Sequence, residues 1–269
     1  MSPISPIPVT DPTDPRLAPY LTVRERDLVG RGDGFIAEGE VVLRVLLSPD
    51  ARARAASILV AENRLARLAP LLAAAPPGTP VYAATQAVMD AVVGFHIHRG
   101  VLAHGVRPLD PGVAALLAGL PPRALVVALY GIGNHDNMGG LFRNAAAFGA
   151  DAVLLDARCC DPLYRKAIRV SVGAALKVPF ARAAPGEDLL ATLTWAGFEA
   201  FALSPAGAAI VSDLRRPARA AVLLGAEGPG LPPDVLAQAT AVAIPMATGW
   251  DSLNVAAASA IVLHQLAGR

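Results

Sequence analysis

Ile244-Pro245-Met246-Ala247-Thr248-Gly249-Trp250-Asp251-Ser252-Leu253-Asn254-Val255-Ala256 is the stretch on which the fold turns, a short apolar strand meeting a polar turn and then a helix of small residues. Pro245 has no N–H to donate, so the strand cannot continue into a sheet interior and the backbone turns out over its C-terminal edge. Gly249, Asp251 and Ser252 supply turn and N-cap chemistry for a helix from about Leu253 to Leu266. In parallel α/β sheets, ligands bind in the crevice outside the carboxyl ends of the strands, where a helix N-terminus offers free N–H groups. The stretch therefore predicts an α/β fold with a ligand crevice at this edge.

Working outward, apolar runs at Ala124–Tyr130, Ala152–Leu155, Val178–Phe180, Phe198–Leu203, Ala220–Leu224 and Val242–Ile244 alternate with helical segments. Runs without polar alternation are what parallel strands covered on both faces look like. Upstream, shorter strands at 35–38, 57–61, 81–83 and 100–104 alternate with amphipathic helices and predict a separate, smaller α/β/α domain. Pro108, Pro111, Pro121 and Pro122 mark residues 108–122 as a linker. The expected organisation is a tail over 1–20, a small domain over 21–107, the linker, and a parallel-sheet domain over 123–269. With five prolines in its first fifteen residues, the tail is expected to be disordered.

Composition narrows the function classes. The chain is 54% hydrophobic, largely through alanine, yet no uncharged apolar run approaches the ~18 residues that span a bilayer. Cys159 and Cys160 are adjacent and build no disulfide framework, which fits a reducing, cytoplasmic setting. The net charge of +1 provides no global field for a polyanion, so nucleic-acid binding has to come from local patches. His96, His98 and His104 lie close together, with two imidazoles on one face if 96–98 is a strand. No cysteine or carboxylate stands at ligand spacing beside them, so no metal site is expected.

Two further loops carry chemistry. After the strand at 124–130 comes Gly131-Ile132-Gly133-Asn134-His135-Asp136-Asn137-Met138-Gly139-Gly140, then a helix containing Arg143. Gly131-x-Gly133 lacks the third glycine of a dinucleotide fingerprint, although Asp156 ends the next strand where a Rossmann enzyme keeps its ribose-binding carboxylate. After the strand at 220–224 comes Gly225-Ala226-Glu227-Gly228-Pro229-Gly230-Leu231, whose glycines allow close backbone approach to a ligand and whose one charge is Glu227. No Gly-Lys-Ser/Thr follows, so it is not a P-loop.

Taken together, Asn137-x-Gly139-x-x-x-Arg143, Leu224-Gly225-Ala226-Glu227-Gly228-x-Gly230-Leu231 and Ile244-Pro245-Met246 through Ser252-Leu253-Asn254-Val255-Ala256 resemble, in order and spacing, the three motifs of the SpoU (TrmH-like) RNA ribose methyltransferases of the SPOUT superfamily. Tyr164–Ala167 and Ser171–Ala174 agree with the segment between the first two motifs. The resemblance covers about 123–267; over the N-terminal part it is looser, to the ribosomal-protein-L30e-like RNA-binding domain that often precedes this catalytic domain. Ala226 and Ser204 depart from the residues common at their positions.

The resemblance implies a deep trefoil knot in the C-terminal domain and S-adenosyl-L-methionine as cofactor. It further implies transfer of methyl to a ribose 2′-hydroxyl of rRNA or tRNA, and a homodimer. Cofactor contacts are expected at Leu203, Leu224, Gly225, Glu227, Gly230, Ile244, Met246, Ser252, Leu253 and Asn254. In the family the motif-one arginine, here Arg143, is catalytic, with Asn137, Glu227, Ser252 and Asn254 orienting it and the ribose. Only RNA carries the 2′-hydroxyl. Besides Arg143, the dense basic segment of Arg165, Lys166, Arg169, Lys177 and Arg182 is expected to track RNA phosphates. Two other readings stay open here: a Rossmann-type nucleotide-dependent enzyme using Asp156, and a catalytically silent RNA-binding protein.

Overall fold

The computed structural model describes residues 5–21, 34–250 and 252–267. The chain divides into two units, Met1–Pro108 with Leu163–Lys177, and Leu109–Pro162 with Val178–Arg269.

The first unit is a mixed five-stranded sheet with helices. Its strands are β1 (Ile7–Pro8), β2 (Gly34–Glu38), β3 (Arg54–Ala61), β4 (Val81–Ala84) and β5 (Val101–Val106), in the order β1-β4-β3-β5-β2. β3 lies parallel to β4 and antiparallel to β5. Ile58, Leu59 and Val60 of β3 are fully buried, as befits the middle strand. Helices α1 (Glu40–Leu46), α2 (Leu65–Leu72) and α3 (Gln86–Val93) follow β2, β3 and β4. Thr85 caps α3 by accepting from the Val88 N–H, and Gly94 ends it in the left-handed conformation at φ 79°.

The N-terminal stretch corrects the expectation of a disordered tail. β1 pairs parallel with β4, and Leu17 and Tyr20 are fully buried. The Tyr20 hydroxyl lies 2.7 Å from Ser57 Oγ. Proline density argued for disorder because proline cannot donate to a ladder; β1, however, is an edge strand, the one sheet position that tolerates Pro8. Residues 1–4 lie outside the described residues. Leu17→Ala is expected to cost about 2–5 kcal/mol of stability, the range for truncating a buried leucine. A wild-type urea midpoint for this variant would show that the segment does not pack.

The second unit is a seven-stranded, wholly parallel sheet. In chain order it contains α4 (Val113–Ala118), β6 (Ala124–Tyr130), α5 (His135–Ala147) and β7 (Ala152–Leu155). The chain then gives α6 (Arg165–Val170) to the first unit. It resumes with β8 (Phe180–Arg182), α7 (Leu189–Trp195), β9 (Glu199–Leu203), β10 (Ala209–Ile210), β11 (Arg219–Gly225), α8 (Pro233–Gln238), β12 (Thr240–Ala243) and α9 (Val255–Leu266). The sheet order is β10-β12-β9-β11-β6-β7-β8. Central β6 and β11 are buried almost throughout, which explains their continuous apolar runs.

Three boundaries differ from expectation. Residues 109–122 are no linker: Val113 and Leu117 of α4 are buried in one core with β6 and α7. Residues 163–177 belong to the first unit, so the parallel-sheet domain is interrupted. There Arg52 N–H donates to Leu176 O, and bare Gly173 lies against Val45. β8 begins at Phe180, two residues later than its apolar pattern. The short β10 was not expected; a Cβ at neighbouring Gly207 would stand 2.4 Å from the Val242 backbone, an approach that no hydrophobic pattern announces.

Candidate active site

Because the strands are parallel, β9, β11 and β12 all end on one edge of the second unit. A cleft of about 200 Å³ opens there, lined by Leu203, Leu224, Gly225, Glu227, Gly230, Ile244, Met246, Ser252 and Leu253. Each of these was expected at the cofactor from the family resemblance. Its walls are largely aliphatic, with Val242, Val255 and Ala258 behind.

The loop after β11 is built by glycine. The chain doubles back so that Gly230 N–H donates to Ala226 O at 3.0 Å, with Gly228 at φ 87° and Gly230 at φ 70°. A Cβ on Gly225 would stand 2.1 Å from the Gly230 carbonyl carbon, so only glycine fits there. Glu227 is exposed at the turn.

Asn254 joins three elements. Its Nδ2 donates to Asn137 Oδ1 at 2.8 Å and to Glu227 Oε1 at 2.9 Å. Its Oδ1 accepts from the N–H groups of Ala256 and Ala257. Asn254, not Ser252, is therefore the N-cap of α9, a correction to the sequence reading. Its backbone stays outside the helical region while its amide oxygen takes the first free N–H groups. Ser252 lines the cleft instead. Asp251 lies outside the described residues.

Asn137 is buried on α5, a helix capped in turn by Asn134. Helices α5 and α9 pack closely because a Cβ on Gly140 would come within 2.8 Å of Ala256 Cβ. Asn144 closes the contact, donating to Ala256 O at 2.7 Å and Ser259 Oγ at 2.8 Å. The sequence reading missed this contact, although Asn144 lies seven residues after Asn137 and so on the same helix face. It also passed over Trp250, which is 76% exposed on the loop before α9.

Arg143 is not brought into this set. It is exposed, makes no hydrogen bond or ion pair among the described residues, and does not line the cleft. Six residues along an α-helix is a rotation of about 240°, so Arg143 leaves the α9-facing side that Asn137 occupies.

The other basic residues are engaged elsewhere. Arg165 is almost buried and pairs with Glu38 at 2.6 Å, its guanidinium over the Phe95 ring. Arg169 stands 3.9 Å from the same carboxylate, and Lys177 pairs with Asp50. These three, and Lys166, belong to the first unit. Arg182 clamps the carbonyls of Asp156, Cys159 and Cys160, a structural role rather than the phosphate tracking expected of it.

Asp156 accepts from Arg158 and follows β7, whereas the cleft opens beyond β9, β11 and β12. That geometry does not support a Rossmann ribose carboxylate. Burial, with Asp156 nearby, pushes the Cys159 thiol up to about 12, and burial pushes Cys160 up to about 11, so neither is a thiolate nucleophile at neutral pH. His96 and His98 sit on a loop, not a strand, and His96 Nδ1 meets Asp90 at 2.7 Å.

A parallel α/β unit whose loops after β11 and β12 line a cleft at the strand ends is the class of protein that fold and site define. Residues 124–264 match the SpoU rRNA Methylase family. An uncharacterized tRNA/rRNA methyltransferase of Mycobacterium bovis is 42% identical over 266 residues, 96% of this chain and 90% of the relative. The chain belongs to the SpoU rRNA methylase family.

Its fold is similar to that of an AdoMet-bound rRNA methyltransferase from Sinorhizobium meliloti, with a TM-score of 0.78 at 24% identity and 97% of each chain covered. A structure described as an RNA 2′-O ribose methyltransferase has a TM-score of 0.76 at 24% identity, covering 97% of this chain and 98% of the other.

Proposed function

We propose that this chain uses S-adenosylmethionine to methylate a ribose 2′-hydroxyl in rRNA or tRNA. The observation that carries the reading is the Asn137–Asn254–Glu227 hydrogen-bonded set beside the cleft, one residue from each motif. The cleft suits the cofactor: its aliphatic walls match an adenosyl group, and bare Gly225 lets the backbone approach it. Backbone groups at Leu203, Gly225, Ile244 and Leu253 hold the adenosyl part, with Leu224, Gly230 and Met246 around it. When bound, S-adenosylmethionine supplies a methyl group on a positively charged sulfonium.

The protein's task is to align the ribose oxygen with that methyl and to stabilise the charge developing on it. Glu227 and Ser252 orient the ribose by hydrogen bonds, while Asn254, its own amide engaged by Asn137, Glu227 and the start of α9, holds Asn137 and Glu227 in place. A guanidinium stays protonated at physiological pH, so Arg143 serves as phosphate ligand and alkoxide stabiliser rather than as base. Trp250 offers a stacking face to an unpaired base. Lys166 and Arg169 contact RNA phosphate; Arg165, paired with Glu38, holds that segment in register.

The working form is a homodimer. Arg143 points away from the Asn137 face, and a second copy is the source that brings an arginine to each set. Ile261, 40% exposed on small-residue α9, gives such a copy an apolar contact. Light scattering is expected to return twice the 27.6 kDa chain mass; a monomer overturns the dimer. The trefoil knot, the ribosomal-protein-like character of the first unit and a cytoplasmic location are further parts of this proposal. They are supported by the motif order, by the small sheet with its helices, and by the free thiols of Cys159 and Cys160.

Transfer of labelled methyl from S-adenosylmethionine to total RNA, followed by digestion to nucleosides, tests the reading. A labelled 2′-O-methylnucleoside supports it, and label on a base overturns the ribose assignment. No label in any RNA pool, with the cofactor bound, would favour a silent RNA-binding protein.

A further inference from the structure

A second concave site lies wholly within the first unit. It measures about 210 Å³ and is lined by Glu40, Arg64, Arg67, Leu68, Arg99 and Val101. Two glycines with left-handed backbone make room for its arginines. A Cβ on Gly39, at φ 95°, would stand 3.0 Å from Arg99 Cδ and 3.1 Å from its Nη1. One on Gly100, at φ 62°, would stand 3.0 Å from Arg64 Cγ.

The carboxylates here are already engaged. Glu38, 5% exposed, holds Arg165 at 2.6 Å with Arg99 at 3.7 Å and Arg169 at 3.9 Å. Glu40 accepts from Arg44 at 3.0 Å and from Arg67 at 2.7 Å. Five guanidiniums thus surround two carboxylates, in a chain whose net charge is only +1. Arg64 makes no hydrogen bond or ion pair among the described residues, and the Arg67 and Arg99 side chains are 64% and 51% exposed. An excess of positive charge in a concavity floored by Leu68 and Val101 focuses potential on an anion, and planar guanidinium forks match phosphate oxygens.

We propose that this pocket binds a backbone phosphate of the RNA substrate through Arg64, Arg67 and Arg99, with Glu40 fixing the Arg67 fork. The proposal rests on the reading of RNA as substrate. It adds an anchoring site on the first unit, outside the methylation motifs.

The test is the salt dependence of binding of a single-stranded oligouridylate to the full chain, wild type against Arg64→Ala/Arg67→Ala, followed by fluorescence anisotropy. Loss of the one single-strand phosphate contact lowers the slope of log affinity against log salt by about 0.7. Arg64→Lys/Arg67→Lys restores most of it, since charge rather than shape carries this term. Should the alanine pair fail to fold, Arg64→Gln/Arg67→Gln keeps the aliphatic stems and the same expectation. An unchanged slope, in a protein whose wild type methylates RNA, overturns the pocket and leaves the function standing. A wild type that neither binds nor methylates RNA overturns the functional reading itself. If inorganic phosphate at constant ionic strength stabilises wild type but not the variant, while the oligouridylate slope is unchanged, the pocket belongs to a free anion and the proposal falls.

Discussion

Arg143→Ala is expected to lower methyl transfer to RNA about a hundred- to a thousand-fold, the usual loss when a donor aimed at developing negative charge is removed. Affinity for S-adenosylmethionine is expected to stay near the wild-type value. The separation follows from geometry. Arg143 is exposed on α5 and does not line the cleft, so the adenosyl group loses nothing when it goes. Nor does the fold depend on it, since it makes no hydrogen bond or ion pair among the described residues. Arg143→Lys keeps a charge but loses the planar fork, so it recovers only part of the rate. The measurement is labelled-methyl transfer beside calorimetric titration of the cofactor. Parallel loss of rate and affinity would refute the assignment.

Gly225→Ala is expected to produce the opposite pattern, with cofactor affinity falling at least tenfold and transfer falling with it. Its Cβ would be driven to 2.1 Å from the Gly230 carbonyl carbon, so the turn carrying Glu227 has to open. That displaces the backbone at the cleft and pulls Glu227 from Asn254, which now bond at 2.9 Å. Gly228→Ala is the matched control. Gly228 is left-handed, at φ 87°, as Gly225 is not, and a Cβ there meets nothing within 4 Å. It carries the strain of a non-glycine residue at positive φ, about 1–2 kcal/mol, without obstructing the site. Thermal unfolding of both variants separates strain from occlusion. If Gly225→Ala binds S-adenosylmethionine as wild type does, the close approach has no bearing on the site.

Much of this architecture was legible in the residues. The strands of the second unit appear as apolar runs because parallel strands buried on both faces need no alternation. The loops after β6, β11 and β12 were legible because glycine, proline and small polar residues have few other reasons to cluster. Errors fell where local chemistry serves two structures. Proline marks disorder and also suits an edge strand, so β1 was read as tail. A serine two residues before Asn254 is as good a cap by type, and only the backbone angles decide between them. The basic run at 165–182 reads as one phosphate track, yet the chain assigns Arg165 to Glu38 and Arg182 to backbone carbonyls.

By itself the sequence determined the longer strands of the parallel sheet, where the motif loops lie, and which residue types they carry, because these follow from local periodicity and turn chemistry. Only the tertiary structure decided that Asn254 unites Asn137 with Glu227 from 117 and 27 residues away. It also decided that 163–177 joins the first unit and that Arg64, Arg67 and Arg99 gather over two glycines. These are contacts between segments distant in the chain. They depend on strand order and helix approach, and residue type alone specifies neither.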